Sequence, residues 1–315
     1  MSVLLLALLG GVIFVNGWTD APGAIISPVA SGILSFRHAV LLAAICNFFG
    51  VLLAVGTGSA VTKTMIDCAN LGNQPSPIIA AALLTVILWA VCAWYFGIPT
   101  SESHALAAAL AGASPLWGSA AQNTAWLKLL IGLFLSTVPA YLIAVFLAQK
   151  NVLPDQVSYS TPQILAAAAM AFLHGAQDGQ KFIGIFLLMI NSAPFVKIPL
   201  PILLSCAFLM AVGTLCGGRR IITQVAQKMV VLHPREGFAA DLGCTLSLIV
   251  STLLGLPVST TQSKTAAVLG AGSLTGHVDL SIASSIALAW ITTFPICAIL
   301  GRLLAHLFSV FYFLT

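Results

Sequence analysis

Two short polar clusters interrupt an otherwise apolar chain, and their residue types suit the capture of an anion. They lie in Gly97–Gly112, GIPTSESHALAAALAG, and Gly255–Gly272, GLPVSTTQSKTAAVLGAG. Each opens with a Gly-x-Pro turn and then presents a run of hydroxyl, amide or other polar side chains. Ser101, Ser103, Ser259, Thr260, Thr261 and Gln262 can all donate hydrogen bonds to an oxyanion. The two copies stand 158 residues apart, pairing Pro99 with Pro257, Ser101 with Ser259, Ser103 with Thr261, His104 with Gln262 and Gly112 with Gly270. About 10 residues follow each cluster before the next glycine, which at ~1.5 Å per residue is about 15 Å, half a bilayer. Each copy therefore predicts a half-helix whose hydroxyl-rich N-terminus stops inside a membrane. Free backbone N–H groups and the positive dipole end gather at such a point.

A second repeated motif suits a cation. Asn16–Ala24 (NGWTDAPGA) and His174–Phe182 (HGAQDGQKF) each break an apolar segment, and Asp20 and Asp178 again lie 158 residues apart. An ionised aspartate at mid-membrane costs ~2.5–3.5 kcal/mol, so it persists when paired, protonated or bound to a cation. Pro22 and Gly23 in one copy, and Gly175 and Gly179 in the other, are expected to let the backbone unwind and turn carbonyls inward. Carboxylate, Thr19 hydroxyl, amide and freed carbonyl oxygens together describe a Na+ site or a proton relay. The plainer alternative has both aspartates capping helices at the membrane interface.

The charges near these motifs are not symmetric. Lys181 follows Asp178 by three residues and Lys264 follows Thr261 by three, while their repeat mates are Gly23 and Leu106. Lys181 either neutralises Asp178 internally, replaces a coupled cation or faces the anion. Lys264 either contacts the anion, serves as an internal counter-ion or snorkels to an interface. His104 shares the first two of these roles. Glu102, repeat mate of Thr260, is either a proton acceptor for the substrate or part of a solvated hairpin tip.

Something must hold these groups in a bilayer, and the composition says what. The chain of 315 residues is 59% hydrophobic and 6% charged, with a formal net charge of +4; soluble domains carry about 25% charged residues. Its mean hydropathy is +1.06. The fold class is an all-α polytopic membrane protein. Apolar segments are expected near 2–16, 22–34, 38–60, 77–97 and 125–148, with the first half-helix at 104–113. The second half repeats the scheme near 163–176, 180–193, 199–216, 238–256, 262–272 and 281–313. The first segment is read as a membrane helix, since it lacks a basic leader and a cleavage site. Residues 1–148 form one membrane repeat, 149–162 a polar linker and 163–315 the second repeat. A further echo, AVGT, occurs at Ala54–Thr57 and Ala211–Thr214. Arg219, Arg220, Lys228 and Arg235 cluster in one loop region, expected in the cytoplasm. Seven cysteines without a CxxC pair read as buried thiols.

Four motifs in repeat register resemble the inorganic phosphate transporter (PiT) family over essentially the whole chain. The resemblance implies a cation-coupled phosphate carrier built from two inverted repeats with paired re-entrant helical hairpins. The family's first GANDVANA-like motif falls on Gly17–Ala24, with Thr19 and Gly23 in place of its asparagines. Its HGSNDAQ-like motif falls on His174–Gln180, where Gln177 replaces an asparagine and is expected at the substrate. Its PVSTTH motif is Pro257–Gln262, with glutamine in place of histidine. Both aspartates are present, implying Na+ at Asp20 and Asp178, or protons.

Phosphate at neutral pH carries an O–H that sulfate lacks, so an acceptor among Glu102, Asp20 and Asp178 would favour phosphate over sulfate. A sulfate permease is the runner-up, followed by an anion channel or an intramembrane enzyme. No GxSxG or HExxH is present, and paired repeats suit a carrier's two gates better than a single nucleophile. The expectation is a multi-pass protein of a plasma (inner) membrane, not an enzyme, without cofactor. Its partners are inorganic phosphate, Na+ or H+ and the lipid bilayer, and no nucleic acid. A homodimer stays open.

Overall fold

The computed structural model describes residues 3–55, 60–68, 75–114, 120–150, 158–190, 198–275 and 278–314. Gly56 and Thr57 of the first AVGT, and 151–157 of the expected linker, lie outside the described residues. The rest is helices and turns, with one isolated bridge between Val230 and Val278.

In the first half, α1 (Val3–Thr19) stops at Asp20, and Pro22 follows with no N–H to give. The chain tightens there into a 3-10 turn, Ala21–Ile25, before the short α2 (Ile26–Ala30). Helices α3 (Phe36–Val55), α4 (Ala60–Cys68) and α5 (Pro75–Phe96) come next. At the end of α5, Gly97 takes φ +71° and the Ile98 N–H reaches back to Ala93 O at 3.0 Å. This is a Schellman stop, for which glycine alone has no steric penalty. Past Pro99, Ser101 is extended and α6 (Glu102–Ala113) begins. Helices α7 (Ala120–Leu135) and α8 (Thr137–Gln149) meet at Ser136, dividing the segment expected near 125–148.

The second half has α9 (Ser160–Met189), α10 (Leu200–Cys216), a short α11 (Arg219–Ile222) with a π-helical turn at Thr223–Met229, and α12 (Pro234–Leu253). Gly255 at φ +67° repeats the stop, with Leu256 N–H on Ser251 O at 2.9 Å. Then come α13 (Thr260–Gly272) and α14 (Leu280–Leu314).

One expectation is corrected here. The second aspartate motif does not unwind: α9 runs unbroken through Gly175–Gly179 for 30 residues, about 45 Å. It contains no proline at that point, and its glycines serve close packing. A Cβ on Gly175 would lie 2.4 Å from Asn47 O, and one on Gly179 would lie 3.1 Å from the Val51 methyls, both on α3.

Helix α1 packs on α10 and α5, α3 on α9 and α10, α6 on α14 and α5, and α13 on α8 and α12. Replacing each element by its counterpart about 158 residues away turns α1–α10 into α9–α3, and α6–α14 into α13–α8. The helices that carry the motifs thus pack largely against the opposite half. The exterior is apolar and the interior holds a polar cluster within an apolar core: Leu288, Ile291, Ile299 and Leu303 on α14 are each more than 60% exposed, whereas Asp20, Asp178 and Lys181 are at most 5% exposed. Among the described residues six helices are long and apolar enough to cross a membrane, or seven counting the bent pair at 200–225. Of the seven cysteines expected to be buried, Cys68, Cys206, Cys244 and Cys297 are, Cys46 is half-buried, and Cys92 and Cys216 are exposed on the outer surface.

Candidate functional site

Two short, buried helices carry the hydroxyl clusters. At 12 and 13 residues, α6 and α13 extend about 18–20 Å, less than the ~30 Å hydrocarbon core. Ser101 Oγ accepts the His104 N–H at 3.2 Å and Ser259 Oγ accepts the Gln262 N–H at 3.2 Å, so both serines are N-caps. Each keeps its own hydroxyl proton for another acceptor, and the first N–H groups of each helix have no intrahelical acceptor. The approaching strands of chain are pinned from outside: Trp290 Nε1 donates to Pro99 O at 3.0 Å, and Thr64 Oγ1 donates to Gly255 O at 2.9 Å.

The two repeat-related aspartates meet at these helix starts. Asn16 Nδ2 donates to Asp178 Oδ2 at 2.9 Å and also reaches Asp20 Oδ2 at 3.4 Å. The two carboxylates are therefore no farther apart than those two distances together. Thr19 Oγ1 donates to Glu102 Oε1 at 2.6 Å, and Asp20 faces the Thr261 hydroxyl and the Glu102 backbone N–H. His174 Nδ1 contacts Thr260 Oγ1 at 3.0 Å, and lies 3.8 Å from Asp178 Oδ2. Lys181 Nζ donates at 2.6 Å to each of Asp178 Oδ1, Ser103 Oγ and Val258 O. Glu102 is 3% exposed, which overturns the solvated-tip alternative.

Two buried oxygens here lack a hydrogen-bond partner, Asn16 Oδ1 and Glu102 Oε2, and Thr261 Oγ1 has only Asp20. With the Asp20 carboxylate they make an oxygen set of the kind a hard cation takes. Among the described residues no three His, Cys, Asp or Glu side chains converge as a metal set, so neutral oxygens would complete any ion's shell.

Other expected residues are not brought into this cluster. Lys264 is fully buried and pairs with Asp241 and with Ser27 Oγ, the latter at 2.8 Å. It is an internal counter-ion, and burial rules out snorkelling. Gln177 turns toward α12, donating to Thr252 Oγ1 at 2.7 Å. The His104 ring packs edge-on to Phe294 of α14, with centroids 4.8 Å apart. Asn16, His174 and Asp241 were not singled out from sequence. The first two are repeat mates at the head of their motifs, which was the available signal. Asp241 stands alone in an apolar run, and intramembrane position by itself marks such a residue.

Close to this cluster lies a basic cavity of about 780 Å³, lined among others by Trp18, Trp94, Arg219, Arg220 and Lys228. The Arg220 guanidinium stacks over Trp94 at 4.7 Å and donates to Tyr95 O at 3.1 Å. Trp18 adjoins Thr19 in the chain, and Gly97 of the first stop also lines the wall.

Residues 16–158 and 147–301 match a sequence profile described as the phosphate transporter family. A Bacillus subtilis (strain 168) protein described as "Probable low-affinity inorganic phosphate transporter" is 33% identical over 317 residues, covering 95% of this chain and 94% of its own. A Rhizobium meliloti (strain 1021) protein of the same description is 30% identical, covering 92% of this chain and 91% of its own. A solved structure described as the sodium-dependent phosphate transporter superposes with a TM-score of 0.82 over 98% of this chain and 100% of its own. At 19% identity that likeness speaks to the fold.

Proposed function

The chain belongs to the phosphate transporter family, and from that premise we propose that it carries inorganic phosphate across the plasma membrane together with a cation, Na+ or H+. Its relatives are carriers and not enzymes. The reading takes 1–148 and 163–315 as inverted repeats joined by 149–162, with the α5–α6 and α12–α13 turns as re-entrant tips. The cross-packing of repeat-related helices supports this. Phosphate would lie between the two tips, held by Ser101, Ser103, Ser259, Thr260 and Thr261 and by N–H groups of the first turns. The partnerless Glu102 Oε2 is suited to accept the phosphate O–H, which sulfate could not offer.

The observation that carries the coupling is the meeting of Asp20 and Asp178 on one Asn16 amide beside Glu102. Three carboxylates against one ammonium leave the cluster formally two charges negative. Within the span of the two Asn16 contacts, 2.9 and 3.4 Å, and at an effective dielectric of about 20, the Asp20–Asp178 pair alone repels by ~3 kcal/mol. A phosphate anion adds to that repulsion, so it is admitted only with compensating positive charge. Asp20, with Thr19, Asn16 Oδ1 and Thr261 nearby, is the position for the exchangeable cation. The basic cavity at Arg219, Arg220 and Lys228 draws the anion toward the tips.

The test is uptake of radiolabelled phosphate into proteoliposomes, with and without an imposed Na+ or pH gradient. Accumulation is expected to follow one gradient and to be lost in Asp20→Asn. Uptake indifferent to both gradients, or driven normally in Asp20→Asn, refutes the coupling assignment.

A further inference from the structure

We propose that the Lys181 ammonium is a tethered cation that permanently fills one of two repeat-related cation cages, so that only the Asp20 cage exchanges an ion with solution. The proposal rests on the carrier reading above and says which half of its site is closed. Lys181 Nζ is bound by a carboxylate oxygen (Asp178 Oδ1), a hydroxyl (Ser103 Oγ) and a backbone carbonyl (Val258 O), each at 2.6 Å. These are hard oxygens of the types that ligate an alkali cation. An ammonium has three donors, and all three are spent, so none is left for an anion. The side chain is 2% exposed.

Moving each member of this cage by 158 positions, Ser103 forward and the others back, gives Thr261, Asp20, the Thr100 carbonyl and, in place of the lysine, Gly23. The repeat-related positions keep the ligand types and lack the charge. Asp20 accepts from the buried Thr261 hydroxyl, whose oxygen keeps its lone pairs for a cation. A Cβ built on Gly23 would meet nothing within 4 Å. The positive charge that the second half carries in its own side chain must come to the first half from outside.

Lys181 also bridges α6, through Ser103, to the turn before α13, through Val258. In this arrangement the tethered charge ties the two tips together, a tie that no dissociating ion can release.

The experiment measures phosphate uptake into proteoliposomes against external Na+ at fixed pH, for the wild type, Lys181→Ala and Lys181→Ala/Asp178→Asn. Vacating the cage is expected to add one Na+ to the transport cycle, raising the Hill coefficient for Na+ by about one. The double variant should lose that gain. Lys181→Ala that transports with an unchanged Na+ order overturns the proposal. A second measurement covers a variant too impaired to transport: thermal unfolding of detergent-purified Asp20→Asn and Asp20→Asn/Lys181→Ala across a Na+ series. A ligand that binds only the folded state raises the melting temperature as its concentration passes Kd. The double variant should regain a Na+-dependent rise of roughly 2 °C or more, and a flat response there overturns the proposal. A full wild-type Na+ response in Asp20→Asn would instead refute the Asp20 assignment, and the Lys181→Ala measurement separates the two failures.

Discussion

Lys264→Met keeps most of the side-chain volume and removes its charge, which isolates Asp241. Both residues are 0% exposed. Breaking a buried ion pair by removing one partner costs about 3–5 kcal/mol, with Ser27 Oγ losing its contact as well. Each kcal/mol moves the melting temperature of a chain this size by roughly 2 °C, so the variant should lose on the order of 6–10 °C. The other half of the chain supplies the apolar version of the same place. Positions equivalent to Lys264 and Asp241 are Leu106 and Leu83, both buried. Lys264→Leu/Asp241→Leu should therefore recover most of the loss, since well-packed apolar replacements of buried pairs are often neutral or stabilising. The assay is thermal unfolding in detergent, run beside phosphate uptake per folded molecule. Single variants at wild-type stability, or a double variant no better than the singles, would refute the reasoning. A stable double variant without uptake would return Lys264 to the anion.

Thr261→Val keeps the side chain's shape and removes the hydroxyl that faces Asp20, so apparent affinity for the cation or phosphate should fall about tenfold, the worth of one hydrogen bond to a charged group. Unchanged KM and Na+ dependence would take Thr261 out of the site. Gly17→Ala puts a Cβ 2.1 Å from Met210 O, where α1 crosses α10, whereas Gly23→Ala meets nothing within 4 Å. Folded yield should collapse in the first and persist in the second, judged by size-exclusion profile, and equal yields would refute the packing argument.

What the sequence determined by itself was local. A Gly-x-Pro stop followed by a serine three residues ahead of an N–H it can cap needs only its immediate neighbours, so both helix breaks were legible at Gly97–Ser101 and Gly255–Ser259. The scarcity of charge sets the solvent, and a 158-residue register between polar motifs is a property of the string. The tertiary structure decided what depends on an approach between distant segments. A glycine inside a helix permits either unwinding or close contact, and the string alone does not distinguish them. At Gly175 the backbone of α3 lies against the missing side chain, and the helix runs on; at Pro22 the lost N–H breaks it. A buried lysine needs a counter-charge, yet the one Lys264 found stands 23 residues away on a different helix. The distance from Asp20 to Asp178 along the chain says nothing of their distance in space, which the Asn16 amide closes to two hydrogen-bond lengths. Lys181 stood open among internal pairing, replacement of a coupled cation and anion contact because its spacing to Asp178 accounts for one donor only. The other two were assigned when Ser103 and Val258, from both tips, came within 2.6 Å, and desolvation in the interior makes those contacts obligatory.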